Sequence, residues 1–443
     1  MMKRWTPFLI IAFSLPAEAF SASLRDAIDH ALKFSPKMAT KHYALETAQL
    51  THDNSRASYL PQLAASSLVG MAGQRFVATN SSDELIGPTS KVDVRLSETI
   101  WDGGLRGFEV ERSEIAIDIA QLNYLDARNQ LILEITKAYF DFSEAADLHT
   151  AQKASLEISK KQFAQAEAFY KAGVTPRRDF LRSQAEVQRL QLNAAQSNDN
   201  AIRLSDVLRS LTGASVQDAP ELAYVPMMPV ATIVAAVLGK APSSPSTSQD
   251  LIAVKRDRLQ RAAADISLAM ERRKTLWPTV DLSVGSSYGA SDFVGAKPPR
   301  KAFFEQDAVT WNVQLAVHYT LWDWGTARRN VEILANQQSL EKSERADVIS
   351  HLLLQRASSL KAREFSAKNY ELSQELLRLD EDAFKTIEND YRQGRASYVD
   401  VGDALEKLLE SQTSASRTYF SHLRTTWESF FYEGVIYEKA MAL

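Results

Sequence analysis

The 443-residue sequence contains no cysteine. Disulfide bridges, thiol catalysis and cysteine-ligated metal sites are therefore excluded. The seven histidines are scattered, and no pair has metal-ligand spacing on a predicted helix. Nucleophile elbows and phosphate-binding loops are also missing. The sequence thus predicts no cofactor and no metal site of its own, and it argues against an enzyme.

Long apolar runs are scarce too. After residue 19, no stretch approaches the roughly 18 apolar residues that a membrane helix needs, so none is predicted. Basic and acidic residues nearly balance, with 51 against 55, which argues against a nucleic-acid partner.

The N-terminus has the pattern of an export signal. Two basic residues at 3–4 precede an apolar run over 5–15, and Ala17-Glu18-Ala19 supplies a small-x-small cleavage site. The sequence therefore predicts a signal peptide over residues 1–19. The alternative, an N-terminal membrane anchor, needs about 20 apolar residues, more than this run has. No cysteine follows the predicted cut, so lipid attachment there is not expected.

Proline and glycine are nearly missing from one long segment. Between about Leu105 and Ala172 there is no proline and one glycine, Gly107. This predicts a helix about 100 Å long, which needs a coiled-coil-like partner. Gly173 ends it, and a return helix runs to about Leu211.

The same order of elements occurs twice: a helix, two strands with alternating polarity, a long helix, a glycine tip and a return helix. A polar loop is predicted over residues 77–90, between the first two strands. The expected domains are a first repeat at 20–213 (β-hairpin about 62–101, helical hairpin about 105–211), a proline-rich connector at 214–247, and a second repeat at 248–443 (β-hairpin about 279–322, helical hairpin about 326–440).

Four strands in one chain are too few for a closed barrel, since the smallest membrane barrels have about eight. Lipid tolerates no open sheet edge, so several chains would have to share one barrel, and three chains would give twelve strands. A soluble sheet with one buried face is the alternative.

The two strand-to-helix junctions read Trp101-Asp102-Gly103-Gly104 and Trp322-Asp323-Trp324-Gly325, 221 residues apart. With the repeat order and the tips, they make the mature chain resemble the TolC family of outer-membrane efflux and secretion channels. The resemblance implies a mainly α fold with a β membrane portion, in the outer membrane of a Gram-negative bacterium. It implies a homotrimer whose twelve-stranded β-barrel continues as a periplasmic α-helical barrel.

The resemblance also implies partners. These are a periplasmic adaptor (membrane fusion) protein, an inner-membrane transporter of the ABC or RND type, and outer-membrane lipid. The expected function is a passive exit duct, gated at its helical tips, for tripartite efflux or type I secretion. A structural coiled-coil protein or adhesin of the cell envelope is the alternative.

The second tip, residues 391–403, contains Asp400 and Asp403 on one helix face. The local interpretation is that Ser397 caps the helix and Asp400 completes a capping box. The resemblance implies in addition that Asp400 and Asp403 ring the periplasmic mouth and bind cations. In a trimer, mutual repulsion among the six carboxylates would raise some of their pKa values. Both interpretations can hold together, because a cap and a ring use different oxygens.

Asp179 and Tyr391 align with family residues that latch the mouth shut. The family's latch arginine is replaced here by Ala396, and Arg182 is the candidate substitute through a contact with Asp403. A solvated face is the alternative for the basic residues of the first tip, Arg177, Arg178 and Arg182.

The resemblance further nominates the tips as the adaptor-docking site. The alternative is that each tip glycine only ends its helix. The nominated residues are Gly173, Val174, Thr175, Gly394, Arg395 and Ala396.

Overall fold

The computed structural model describes residues 24–78, 81–173, 176–212, 251–291, 307–393 and 395–442. The predicted signal peptide at 1–19 and the connector at 214–247 lie outside these ranges. The helices are α1 (Leu24–Phe34), α2 (Pro36–Ala57), α3 (Leu105–Lys171), α4 (Arg177–Thr212), α5 (Ile252–Leu276), α6 (Thr326–Arg392), α7 (Tyr398–Glu433) and α8 (Ile436–Met441), and the strands are β1 (Gln62–Ala78), β2 (Ser81–Trp101), β3 (Thr279–Ser291) and β4 (Asp307–His318).

The predicted long helices are confirmed. α3 and α6 each contain 67 residues, and the helices that follow them, α4 and α7, each contain 36. The second helical hairpin, predicted over about 326–440, ends earlier than expected, because α7 stops at Gly434 in the left-handed region (φ 78°) and the short α8 follows. The Val435 N–H donates to the Phe430 carbonyl at 3.0 Å, closing a Schellman-type end.

The chain divides into two compact units. One holds residues 43–122 and 255–347 and contains an antiparallel sheet in the order β1-β2-β3-β4. The strand register gives this sheet two different faces. One face carries mainly apolar residues, Leu63, Ala65, Val69, Val92, Val94, Leu96, Val280, Leu282, Val284, Trp311, Val313, Leu315 and Val317, and the other mainly polar ones, Asp93, Arg95, Ser97, Thr99, Ser283, Asn312 and Gln314.

The apolar face is not a core within this chain. More than 60% of Val313, of Leu315 and of Val317 is exposed. An apolar surface this large and contiguous is typical of a membrane or protein contact. Within the described ranges, no helix is both long enough and apolar enough to cross a membrane.

The predicted polar loop at 77–90 is wrong. β1 extends to Ala78 and β2 begins at Ser81, and Met71 pairs with Pro88 inside the ladder. The ladder is formed by backbone N–H and C=O groups, so polar side chains do not end it, and Pro88 removes only its own N–H donor.

The second unit, residues 24–42, 123–254 and 348–442 where described, is helical. Its main core joins Trp427 and Phe430 of α7 to Ile132 and Ile135 of α3, with Ile28 of α1. Burying each such side chain stabilises the fold by about 1.5–3 kcal/mol.

Small polar side chains of α6 are buried at its seam with α7. Ser366 and Ser373 of α6 are buried, and their hydroxyls lie 2.7 Å from Thr425 Oγ1 and 2.6 Å from Thr418 Oγ1 respectively. Small side chains allow two helices to approach closely. By contrast, Leu372, Leu376 and Leu379 of the same helix are exposed.

The first strand-to-helix junction depends on Asp102. Its Oδ1 accepts from the Gly104 N–H and its Oδ2 from the Arg106 N–H, both at 2.9 Å, so the carboxylate satisfies N–H groups at the start of α3. Gly103 (φ 69°) and Gly104 (φ 84°) are both left-handed, a conformation that glycine adopts freely.

The second junction repeats this geometry. Asp323 accepts from the Gly325 N–H at 2.9 Å and from the Ala327 N–H at 2.7 Å. These hydrogen bonds, that of Ala327 first, lower the pKa of Asp323. Trp324 takes the place of the first glycine and is left-handed at φ 56°, a strain of about 1–2 kcal/mol.

Gly103→Ala should destabilise its unit more than Gly104→Ala. Both add a Cβ to a left-handed residue, at a cost of about 1–2 kcal/mol. At Gly103 the new Cβ would also lie 2.7 Å from Trp277 Cβ, adding about 1–3 kcal/mol of overpacking. At Gly104 the nearest atom is Arg273 Nη1 at 3.3 Å, the end of a flexible side chain. Denaturation in detergent, followed by near-ultraviolet circular dichroism, measures both; equal losses would contradict this account.

Candidate functional site at the helical tips

Two local hydrogen-bond arrangements form the second tip. The Arg395 N–H donates to the Asp390 carbonyl at 2.8 Å, the six-to-one bond of a Schellman-type end. Ser397 is the N-cap of α7, and Asp400 completes the capping box. The local prediction for Ser397 and Asp400 is therefore confirmed. Gly394, nominated for docking, lies outside the described residues.

The capping box uses one carboxylate oxygen of Asp400. Its Oδ2 accepts from the Ser397 N–H at 2.8 Å and from the Ser397 hydroxyl at 2.7 Å. These two hydrogen bonds, that of the side chain first, lower the pKa of Asp400. The rise in pKa predicted from repulsion concerns the carboxylates of three assembled chains and stays a prediction. In the described part of the tip, Oδ1 accepts no hydrogen bond and can serve another partner.

Asp403 faces the first tip. Its Oδ1 lies 3.9 Å from Arg182 Nη2 of α4, and both side chains are more than half exposed, at 63% and 57%. A second contact follows along the same pair of helices, with Arg189 Nη1 3.4 Å from Glu406 Oε1. Exposed pairs of this kind contribute about 0–1 kcal/mol each, so this link between α4 and α7 is weak and easily released.

Tyr391 and Asp179 interact without a direct bond. Tyr391 packs against the cluster around Phe384 and Leu405. Its pKa is raised by burial and, secondly, by the negative charge of Asp179. The Asp179 carboxylate instead accepts from the Nε–H of Arg178 at 3.2 Å. Among the described residues, no hydrogen bond joins Tyr391 to Asp179.

Sequence reasoning missed Tyr398. Its hydroxyl is buried and has no hydrogen-bond partner among the described residues. Burial, then the charge of Glu186, raises its pKa to about 12, while Arg182 opposes the rise. Its burial is predictable from helical spacing, because Tyr398, Val401 and Leu405 lie three and four residues apart, and all three are buried.

The first tip is built around an aromatic pair. α3 ends before Gly173, whose backbone is left-handed at φ 75°. The Tyr170 ring stacks on Phe180 of α4 at 5.1 Å, joining the two helices behind the tip. Of the nominated docking residues, Gly173 and Arg395 are exposed and Ala396 is half-buried. Val174 and Thr175 lie outside the described residues.

The described residues of the two tips form no metal site within one chain. No group of three or more His, Asp or Glu residues among those described is arranged to hold a metal ion. A cation ring of Asp400 and Asp403 would need the corresponding residues of other chains.

Asp400→Asn should make the stability of the first turn of α7 independent of pH. Because the folded-state pKa is lowered, the carboxylate stabilises the cap above its ordinary pKa of 3.8, and this stabilisation disappears as pH falls through the lower folded value. Amide hydrogen exchange at residues 398–401, followed between pH 6 and pH 3, should show a loss of protection in the natural chain and a flat response in Asp400→Asn. Asp403→Asn, outside the capping box, is the control and should titrate like the natural chain.

The chain is similar to known proteins in both sequence and fold. The family model described as "Outer membrane efflux protein" matches residues 27–214 and 247–418, more than half of the chain. No curated protein matches the sequence significantly.

Three solved structures are similar over nearly the whole chain. The Campylobacter jejuni CmeC outer membrane channel has a TM-score of 0.77 at 15% identity, covering 95% of this chain and 89% of its own. The Vibrio cholerae outer membrane protein VceC has a TM-score of 0.73 at 14% identity, with coverage of 93% and 96%. The Neisseria gonorrhoeae MtrE outer membrane channel, solved in its open state, has a TM-score of 0.70 at 16% identity, with coverage of 98% of both chains.

Proposed function

Since the chain belongs to the outer membrane efflux protein family, we propose that it is the passive exit duct of a tripartite efflux system. Members of this family are outer-membrane transport channels of Gram-negative bacteria and not enzymes. The resemblance to the TolC family is thereby confirmed. The geometry of the sheet and of the tips supports the proposed trimer, barrel, gate and docking site.

The four-stranded sheet supports a shared barrel. β1 and β4 each have one unpaired edge, while one face is apolar and exposed and the other is polar. In lipid both edges must pair, and joining β4 of one copy to β1 of the next satisfies them. Three copies give twelve strands with the polar face lining a water-filled lumen. The exposed leucines of α6 then pack between helices of neighbouring copies.

Trimer formation is directly testable. The protein, extracted from outer membranes in detergent, should have the mass of three chains and should form ion-conducting channels in a planar bilayer. Release from membranes by salt alone, as a monomer or dimer without conductance, would favour the envelope coiled-coil or adhesin alternative.

The weak contacts between α4 and α7 support a gate at the tips. Arg182 and Asp403 connect the two helical hairpins of one chain where the family's latch arginine is replaced by Ala396. Asp403 and the unused oxygen of Asp400 supply a ring of carboxylates once three chains assemble, and such rings favour cations. Tyr391 and Asp179, both half-buried, lie on the inner side of the same proposed closure.

Arg182→Ala should raise the resting conductance of the channel. The substitution removes the link between the hairpins and frees Asp403, so cation selectivity should rise as well. Arg177→Ala is the matched control, because Arg177 is an exposed basic residue of the same tip and makes no polar contact among the described residues. Arg182→Ala combined with Asp403→Ala should conduct no more than Arg182→Ala but lose the gain in selectivity. Unchanged conductance in Arg182→Ala would rule out this latch.

The exposed tips are the proposed docking site for a periplasmic adaptor. An inner-membrane transporter would supply the energy. The family's description favours efflux over type I secretion. Identification of the adaptor and transporter that co-purify with the channel tests this choice: an ABC exporter of a secreted protein would indicate secretion, and a drug or metabolite pump would indicate efflux.

A further inference from the structure

The end of α5 carries two basic residues next to two apolar ones. Arg272 and Arg273 are followed within one turn by the exposed Leu276 and Trp277. Trp277 meets Trp101, the last residue of β2, with ring centroids 6.1 Å apart. This group lies where β2 and β3 pair, at the middle of the sheet and away from the edges at which copies would join.

A β-bulge turns Trp101 towards the apolar face. The pairing shifts between Thr99, which pairs with Asp281, and Trp101, which pairs with Val280. Without this shift, Trp101 would fall on the polar face with Thr99. Trp101 therefore ends the apolar face, and about half of its surface and of that of Trp277 is exposed, at 49% and 51%. Tryptophan in this position is typical of the boundary between lipid and water.

Arg272 and Arg273 have no acidic partner among the described residues. Arg273 Nη1 donates to the Gly103 carbonyl at 2.9 Å, and its guanidinium lies 5.1 Å from the centroid of the Phe108 ring. The remaining guanidinium N–H donors have no protein acceptor in the described part of the unit. Arg272 is exposed and makes no described polar contact.

The neighbouring carboxylates are already used. Asp102 accepts from the Arg106 side chain at 3.0 Å. Glu271 contacts Lys274 at 3.3 Å and accepts from Asn330 at 3.1 Å. Two positive charges are thus left uncompensated beside an aromatic boundary, a combination that suits an anionic group carried on a hydrocarbon tail.

We propose that Arg272 and Arg273 bind the phosphate of an anionic phospholipid head group, while Trp101, Trp277 and Leu276 contact its acyl chains. The proposal rests on the proposed barrel, which places this end of the sheet at the periplasmic leaflet of the outer membrane. Guanidinium groups match phosphate oxygens in geometry and charge. The site anchors the barrel at the junction where the strands become helices, and Arg273 links it to the backbone of Gly103.

The test is lipid binding to the detergent-purified protein, counted by native mass spectrometry. Phosphatidylglycerol should bind, and the zwitterionic phosphatidylethanolamine should bind more weakly. Arg272→Gln should lower the apparent affinity for phosphatidylglycerol by about fivefold, and Arg272→Gln with Arg273→Gln by about 20- to 30-fold. Arg272→Lys, which keeps the charge, should retain most of the binding.

Arg258→Gln is the matched control, because Arg258 is exposed on the same helix about four turns away from the junction. Arg272→Gln alone keeps the test valid if the double variant fails to fold, since Arg272 makes no described contact. Equal binding by the natural chain and Arg272→Gln would overturn the proposal. Displacement of the lipid by millimolar inorganic phosphate would also overturn it, showing a simple anion site. The same spectra report chain number, so a mass other than three chains would count against the trimer and not against the lipid site.

Discussion

The constraint on which the structure depends is the satisfaction of backbone hydrogen bonds at the sheet edges. A four-stranded sheet with one apolar exposed face cannot remain alone, because β1 and β4 each present a row of unpaired N–H and C=O groups. These unpaired edges support the proposed assembly of several chains. The surfaces of the helices fit the same proposal.

On α6, small polar residues face α7, and several large apolar residues are exposed. Ser366 and Ser373 bond with threonines across the α6–α7 seam, while Leu372 and Leu379 point away from the chain's own core. Close packing inside a hairpin needs little side-chain volume, so the leucines are free for contacts between copies. This distribution supports the proposed duct with walls shared between copies.

The tips combine a firm local structure with weak long-range contacts. The Asp400 capping box and the Tyr170–Phe180 stack fix each hairpin end. By contrast, the exposed Arg182–Asp403 pair at 3.9 Å connects the hairpins only loosely. A gate needs this combination, because rigid ends can separate only if the contact between them contributes little free energy.

The sequence by itself determined the elements and their order. The scarcity of glycine and proline in 105–172 predicted the long helix, and alternating polarity predicted part of each strand. Ser397 and Asp400 predicted the cap. All of these signals are local. Only the tertiary structure decided which faces are buried, since seam serines and outward leucines have the same helical spacing. It also extended the strands through 77–90, turned Trp101 onto the apolar face, and brought Tyr398 beside Glu186. Those outcomes depend on partners far away in the sequence, which periodicity does not record.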